Sequence, residues 1–299
     1  MSKNILVVYY SQSGQLKSIA ENFIAPFKEK DCEIEWLQIK LKSDFPFPWS
    51  AKSFFNAMPE SVLGVASELI TPQFKREKYD LIVFCYQPWF LSPSIPATSA
   101  LNHPEIKKRF INTPVVTLIG SRNMWINAQE QIKKLLKQNG ANLVANIVLA
   151  DRHNNFASAV TVQYWMFTGK RDNFLGVFPR PGISDKDIAE SSVFGKEVLR
   201  SLENGNWNEL QSNLIKLKAV EVHTNLMFIE SRASVLFKIW AQTIIKKKNR
   251  GLWEQIFKYY LLFALFIVAP VVLLIYNVLF RPFLGTQIAR KKISIQQDL

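Results

Sequence analysis

The chain has 299 residues, 48% of them hydrophobic and 20% charged, which supplies a sizeable core and excludes a disordered or low-complexity protein. Two cysteines, Cys32 and Cys85, and three histidines exclude a disulfide scaffold and a cysteine- or histidine-rich metal centre, so no metal site is expected. The net charge is +13, but residues 241–299 carry nine basic against two acidic side chains; about half of the excess is local to the C-terminal fifth, which argues against a uniformly basic nucleic-acid binder.

Residues 5–10, Ile-Leu-Val-Val-Tyr-Tyr, form an apolar run of strand length with no small-residue cleavage site after it, so they read as a buried strand and not as a secretory leader. The folded part is therefore expected in the cytoplasm with both thiols reduced. An alternating stretch at 33–39 and apolar runs at 81–86, 115–119 and 143–149 give four further strands. Between them, residues 17–29 place Ile19, Phe23, Ile24 and Phe27 on one helical face, and residues 127–138 do the same with Ile132, Leu135 and Leu136. Alternating strands and helices predict a parallel sheet with helices on both faces and right-handed crossovers.

Two long departures interrupt this rhythm. Residues 44–71 carry Phe45, Phe47, Trp49, Phe54 and Phe55, and residues 152–184 carry Tyr164, Trp165, Phe167, Phe174 and Phe178. Segments of this length in a compact domain serve as lids over a site or as added core packing. After a main domain over 1–200, residues 201–258 read as a helical or interfacial linker, 259–280 as a membrane segment and 281–299 as a basic tail.

The segment 259–280 holds no charge, and its 22 residues span roughly 33 Å as a helix, enough for a bilayer core of about 30 Å. Tyr259, Tyr260 and Tyr276 lie near its ends, as in interfacial aromatic belts. A single pass through a bacterial inner membrane is the expectation. A re-entrant hairpin bent at Pro270 is the alternative, because both flanks are basic and charge does not choose a side. Residues 225–245 mix Phe228, Val235, Leu236, Ile239 and Trp240 with Arg232 and Lys238. This pattern suits a helix lying on anionic lipid, or an amphipathic helix packed on the domain.

Three loops follow predicted strands at their carboxyl ends, where open α/β sheets bind ligands. The first, Ser11-Gln12-Ser13-Gly14-Gln15-Leu16, joins the first strand to the first helix. It offers backbone N–H groups, two hydroxyls and a helix N-terminus to an anion. It is neither a Walker loop nor a Gly-x-Gly-x-x-Gly loop. The second, residues 86–96, contains Tyr86, Pro88, Trp89, Phe90 and Leu91, with Trp89 and Phe90 suited to wall a flat ring. The third, Gly120-Ser-Arg122-Asn123-Met-Trp125, supplies a cation able to stabilise an enolate.

The first loop resembles that of the flavodoxin-like superfamily, Ser/Thr-x-Thr/Ser-Gly-x-Thr, which holds the phosphate of FMN. Ser11, Ser13 and Gly14 match, and Leu16 stands where many members have threonine. The Pro/Trp/Phe-rich second loop is similar to the loop that packs on the flavin in flavodoxin-like quinone reductases. This resemblance implies a doubly wound five-stranded sheet of order 2-1-3-4-5 and an FMN site, or a shell of that fold that has lost flavin. The segments 8–16, 57–64, 86–96 and 120–125 resemble more specifically the bacterial dialkylresorcinol condensing enzyme family, over roughly residues 4–190. That resemblance implies a part in dialkylresorcinol and flexirubin-type pigment synthesis, beside a ketosynthase partner that joins two acyl chains into a cyclohexanedione.

No Cys–His–His or Cys–His–Asn condensing set is present, and Cys85 reads as a strand-core residue. The fold implied suits an aromatising oxidation of an alkylated cyclohexane-1,3-dione to a 2,5-dialkylresorcinol better than a carbon–carbon condensation. Such a step needs a base and an enolate stabiliser. His153 is the preferred base because histidine changes charge near neutral pH; Asp151, Tyr86 and Tyr164 are the alternatives, and Arg122 is the stabiliser. Membrane lipids would concentrate the lipid-like substrate, and quinone or oxygen would accept the electrons. Two other readings stand beside this one: a membrane-tethered NAD(P)H:quinone reductase, and a non-enzymatic scaffold for a lipid or pigment pathway.

Overall fold

In the computed structural model, which describes residues 2–299, five strands pair in parallel: β1 (Lys3–Tyr9), β2 (Cys32–Gln38), β3 (Leu81–Tyr86), and, beyond a small hairpin, β6 (Pro114–Ser121) and β7 (Asn142–Ala150). Their order across the sheet is β2-β1-β3-β6-β7. This is the flavodoxin-like order, 2-1-3-4-5 among the strands of the main sheet. The central strand β3 is buried at every position, Leu-Ile-Val-Phe-Cys-Tyr. A strand covered on both faces must be apolar at odd and even positions alike, which is why it reads as a continuous run.

The two faces use alternate residues. Ile5, Val7 and Tyr9 of β1, with Leu81, Val83 and Cys85 of β3, meet α1 (Gln15–Lys28) and, later in the chain, α8 (Asp185–Asn204). Leu6, Val8, Ile82, Phe84 and Tyr86 point to the opposite face. There they pack on α4 (Ile95–Asn102), α5 (Pro104–Phe110) and α6 (Ile126–Gln138). Helices α1 and α8 cross closely at Gly195, where an added Cβ would lie 1.9 Å from the Phe23 carbonyl oxygen.

The first insert folds as α2 (Ala51–Asn56) and α3 (Met58–Leu63), and the second as α7 (Asn155–Thr168) followed by a 3₁₀ turn at Phe174–Gly176. Between β3 and α4 lies the hairpin of β4 (Pro88–Trp89) and β5 (Ser92–Pro93). Beyond α8, helix α9 (Leu210–Lys216) and residues 217–222 do not behave as a free linker. The Val148 N–H donates to the Ala219 carbonyl at 2.8 Å, and Ala219 and Val220 are buried, so this segment covers the outer edge of β7.

Helix α10 (Thr224–Ile245) packs on α3 and α6. A short turn leads into α11 (Arg250–Gln297), one helix of 48 residues that widens by one residue per turn at Ala264–Val268 and Tyr276–Phe280. The first of these widened stretches precedes Pro270, whose missing N–H would break a regular ladder. Helix α11 is long and apolar enough to cross a membrane. Here it runs antiparallel beside α10, and the residues 281–299 read as a tail are almost wholly helical.

Candidate functional site

The first loop leaves β1 and enters α1 through Gly14, whose φ of 85° is the left-handed conformation that glycine adopts without strain. Nothing lies within 4 Å of the position its Cβ would take. The Ser11 hydroxyl accepts from the Lys17 N–H at 3.2 Å, which leaves the N–H groups of Ser13, Gly14, Gln15 and Leu16 without an acceptor among the described residues. Four free donors at the positive end of a 14-residue helix form an open anion cradle. The side chains around it are divided. Gln15 exchanges two hydrogen bonds with the Ile183 backbone, at 3.0 and 3.1 Å, and Gln12 donates to the Pro46 carbonyl at 3.1 Å. Leu16 is buried under Gly120, where a Cβ would lie 3.2 Å from the leucine methyl. Of the predicted loop residues, Ser13 and Gly14 therefore face outward, while the other four build the support.

The second loop is the β4–β5 hairpin. Phe90 (φ 48°) and Leu91 (φ 62°) are its two turn residues, both left-handed as a type I′ turn requires and both strained for side chains of their size. The Ser61 hydroxyl donates to the Trp89 and Pro93 carbonyls, and the Asn127 amide donates to Leu91, which holds the turn in place. Trp89 stands at the end of β1, edge-on to Tyr10 at 6.2 Å and packed between Phe45 at 4.9 Å and Trp49 at 5.2 Å. Phe90 faces elsewhere, onto Phe54 at 4.7 Å and the cluster of α3, α10 and α11. The structure thus brings only Trp89 to the crevice. Tyr86 is 1% exposed, and its hydroxyl donates to Gln129 at 2.8 Å. Burial pushes this phenol well above its ordinary value, which makes it a core residue and not a base.

The third loop meets the start of the second insert. The Arg122 guanidinium donates to the Asn155 carbonyl at 3.2 Å, and the Asn123 amide donates to the Asn155 side chain at 2.7 Å. Burial lowers Arg122 to about 10, against the opposing pull of the Asp151 charge, so it stays cationic at neutral pH. The Asn123 side-chain oxygen is buried with no donor among the described residues. Trp125 is 3% exposed and belongs to the core at the head of α6.

Asp151 and His153 form a dyad. The carboxylate is fully buried, accepts from the His153 ring Nδ1 at 2.7 Å and backbone N–H at 3.0 Å, and receives the Ser158 hydroxyl at 2.7 Å. The imidazole is 40% exposed, so its other nitrogen is presented outward. A buried carboxylate on Nδ1 fixes the tautomer and ring orientation of a histidine that can take a proton at Nε2. Tyr164 lies apart, bonded to Asp172 at 2.8 Å and stacked near Phe174.

The two inserts meet over the crevice. The Trp49 N–H donates to the Met166 carbonyl at 2.8 Å, Phe47 packs edge-on to Trp165 at 6.3 Å, and Phe54 packs edge-on to Phe167 at 5.7 Å. A cleft of about 1340 Å³ opens between the first insert and the first turns of α11; Phe45, Phe55, Ile95, Leu252 and Tyr259 line part of it, and the charged Asp44, Lys52, Glu60, Arg250, Glu254 and Lys258 are among those lining the rest. Phe45 is common to this cleft and to the aromatic nest around Trp89. On the other side, Phe156 of α7 touches Phe266 of α11 at 5.3 Å, three residues after His153.

No protein-family profile and no curated protein matches the chain. Among solved structures, a flavoprotein in complex with FMN from Lactobacillus acidophilus NCFM is 21% identical, over 49% of this chain and 93% of that one, at a TM-score of 0.40. A flavodoxin from the domain Archaea is 12% identical, over 67% and 99%, at 0.37. Flavodoxin 1 from Bacillus cereus is 12% identical, over 66% and 97%, at 0.36.

Three groups of this region escaped the sequence reading. Asp44 accepts from the Tyr10 hydroxyl at 2.9 Å and pins the first insert to the end of β1. Asn155 links the third loop to α7. Glu230 of α10 is 2% exposed and accepts from the Asn127 N–H at 2.8 Å, capping α6 from 103 residues away. Its one sequence signal is that it is the only acidic side chain in α10.

Proposed function

We propose that this is a membrane-associated FMN-dependent oxidoreductase that aromatises an alkylated cyclohexane-1,3-dione to a 2,5-dialkylresorcinol. The observation that carries the flavin reading is the cradle of four free N–H groups at residues 13–16, beside the carboxyl end of β1. The residues present fit the cofactor: the cradle and the Ser13 hydroxyl would hold the phosphate, Trp89 would flank the ring, and the unpaired Asn123 oxygen is an acceptor for a ring N–H. Bound FMN supplies a two-electron acceptor, which the dione needs in order to lose two hydrogens.

The chain's own groups do the remaining work. His153, oriented by Asp151, takes the proton from the carbon next to a carbonyl, while the second hydrogen leaves with its electron pair as hydride. Arg122 offsets the charge that gathers on the enolate oxygen. The aromatic inserts exclude water, and the apolar side of the cleft, Phe45, Phe55, Ile95, Leu252 and Tyr259, is where an alkyl chain would lie. Electrons pass on to quinone or oxygen, and a ketosynthase supplies the dione.

The test begins with full-length protein purified in mild detergent. Stoichiometric FMN released on denaturation, and anaerobic bleaching by an alkyl cyclohexanedione with resorcinol formed, is the expected result. Bleaching by NAD(P)H alone identifies the quinone reductase instead. Failure to take up FMN even from added cofactor sinks the redox mechanism and leaves the scaffold.

A further inference from the structure

Tyr276 is the one buried residue of the uncharged segment 259–280, and the domain holds α11 at three points, before, within and beyond that segment. Before it, Phe257 is fully buried against Phe55, Phe237 and Trp240. Near its end, Tyr276 is 4% exposed and stacks on Phe228 at 3.7 Å. Beyond it, the Gln296 amide donates to the Val220 carbonyl at 2.6 Å and the Gln296 carbonyl accepts from Gln211 at 2.7 Å. The partner helix α10 cannot sit inside a bilayer. It carries Arg232 and Lys238, and its Glu230 caps α6 of the domain. A transmembrane path for 259–280 would leave the Phe257 contacts in place but break those of Tyr276 and Gln296.

The face turned away from the domain is an apolar stripe. Ile256, Phe263, Ile267, Val271 and Leu274 recur at spacings of seven, four, four and three residues, all exposed. Val235, Leu236 and Ile239 of α10 are exposed as well. Cations bracket the stripe at both ends: Lys246, Lys247 and Lys248 in the turn before α11, and Arg281, Arg290 and Lys291 after the uncharged stretch. The acidic groups of α11 and of the residue that follows it are already taken, Glu254 by Arg250 and Asp298 by Lys133, and these six cations have no ion-pair partner among the described residues.

We infer that α11 lies in the plane of a single leaflet, its stripe sunk into the acyl boundary and both basic clusters on the headgroups of anionic lipid, with the C-terminus on the same side as the domain. The occupant is a bilayer surface and not a second protein, because the stripe is fringed by unpaired cations at both ends. The same geometry accounts for the missing charge asymmetry: two basic flanks compete in a helix that crosses, and cooperate in one that lies flat. The inference stands whether or not flavin binds.

Two measurements test it. In a Cys32→Ser background, with Cys85 buried, single cysteines are placed by Leu299→Cys and by Lys196→Cys on the exposed side of α8. With full-length protein in spheroplasts and an impermeant maleimide, both sites should label together, before or after permeabilisation. Labelling of one site only in intact spheroplasts overturns the inference. Purified protein should also float with phosphatidylcholine vesicles that contain phosphatidylglycerol and far less with vesicles that lack it. Changing Lys246, Lys247 and Lys248 to glutamate should weaken binding about fivefold or more per site. Equal flotation on both vesicles, or a soluble oligomer that floats on neither, overturns it too.

Discussion

Asp151 is the residue on which the proposed chemistry turns. It is buried with three hydrogen bonds, and one of them sets which nitrogen of His153 faces outward. Asp151→Asn keeps the volume but admits the wrong tautomer, while His153→Gln removes the base. Both should lower the rate of dione oxidation by about a hundredfold, within the usual contribution of a general base, and leave FMN affinity unchanged. An unaltered rate in His153→Gln would remove the residue from the mechanism. Glu230 is the second residue with a measurable signature. Burial raises its carboxyl to about 7, against the backbone N–H groups at the head of α6, which favour the anion. The folded state then holds a proton that the unfolded chain releases near the usual value of about 4.3. The stability this carboxyl contributes falls as pH rises from that value to 7 and levels off above it. Glu230→Gln should flatten this slope and be the more stable form at pH 8, by up to about 3 kcal/mol, in chemical unfolding at several pH values.

Elements were legible where burial repeats simply. All five strands of the main sheet announce themselves as short apolar or alternating runs, and α1 and α6 by apolar faces at helical spacing, because each buries its surface against a regular neighbour. The close crossing of α1 and α8 was not legible, since a lone glycine in a helix carries no label for its partner. Gly195→Ala forces a Cβ onto the Phe23 carbonyl and should cost about 3 kcal/mol, visible as a lower thermal midpoint with the sheet retained. The candidate site divides the same way. The first loop reads from local pattern, because strand, glycine and helix start are adjacent in sequence. The second loop misleads: Trp89 and Phe90 are equivalent in composition, and only the type I′ turn sends them to different neighbours. The closure of the two inserts rests on pairs more than a hundred residues apart, such as Trp49 with Met166, for which local pattern has no signal.

At the scale of the molecule, the question is whether α11 is an appendage or a part of the fold. Its composition states length and greasiness but not direction, because Phe257 and Tyr276, which bind the domain, are as apolar as the residues that face away. The contacts answer in favour of a part. Arg250 bonds Glu60 at 2.6 Å and the Asn56 carbonyl at 3.0 Å, so the first turn of α11 locks the first insert, and that insert carries the aromatic nest around Trp89. Phe257 and Tyr276 each contribute about 2 kcal/mol of burial, and the Gln296 pairings close the far end. A chain ending at residue 245 should therefore melt about 10 °C lower than the full-length protein in the same detergent, and it should bind FMN more weakly as the insert loosens. An appendage that merely tethers predicts the opposite, an unchanged midpoint and unchanged cofactor affinity. By the same link, the lipid docking inferred for α11 would stabilise the first insert and the cleft beside it.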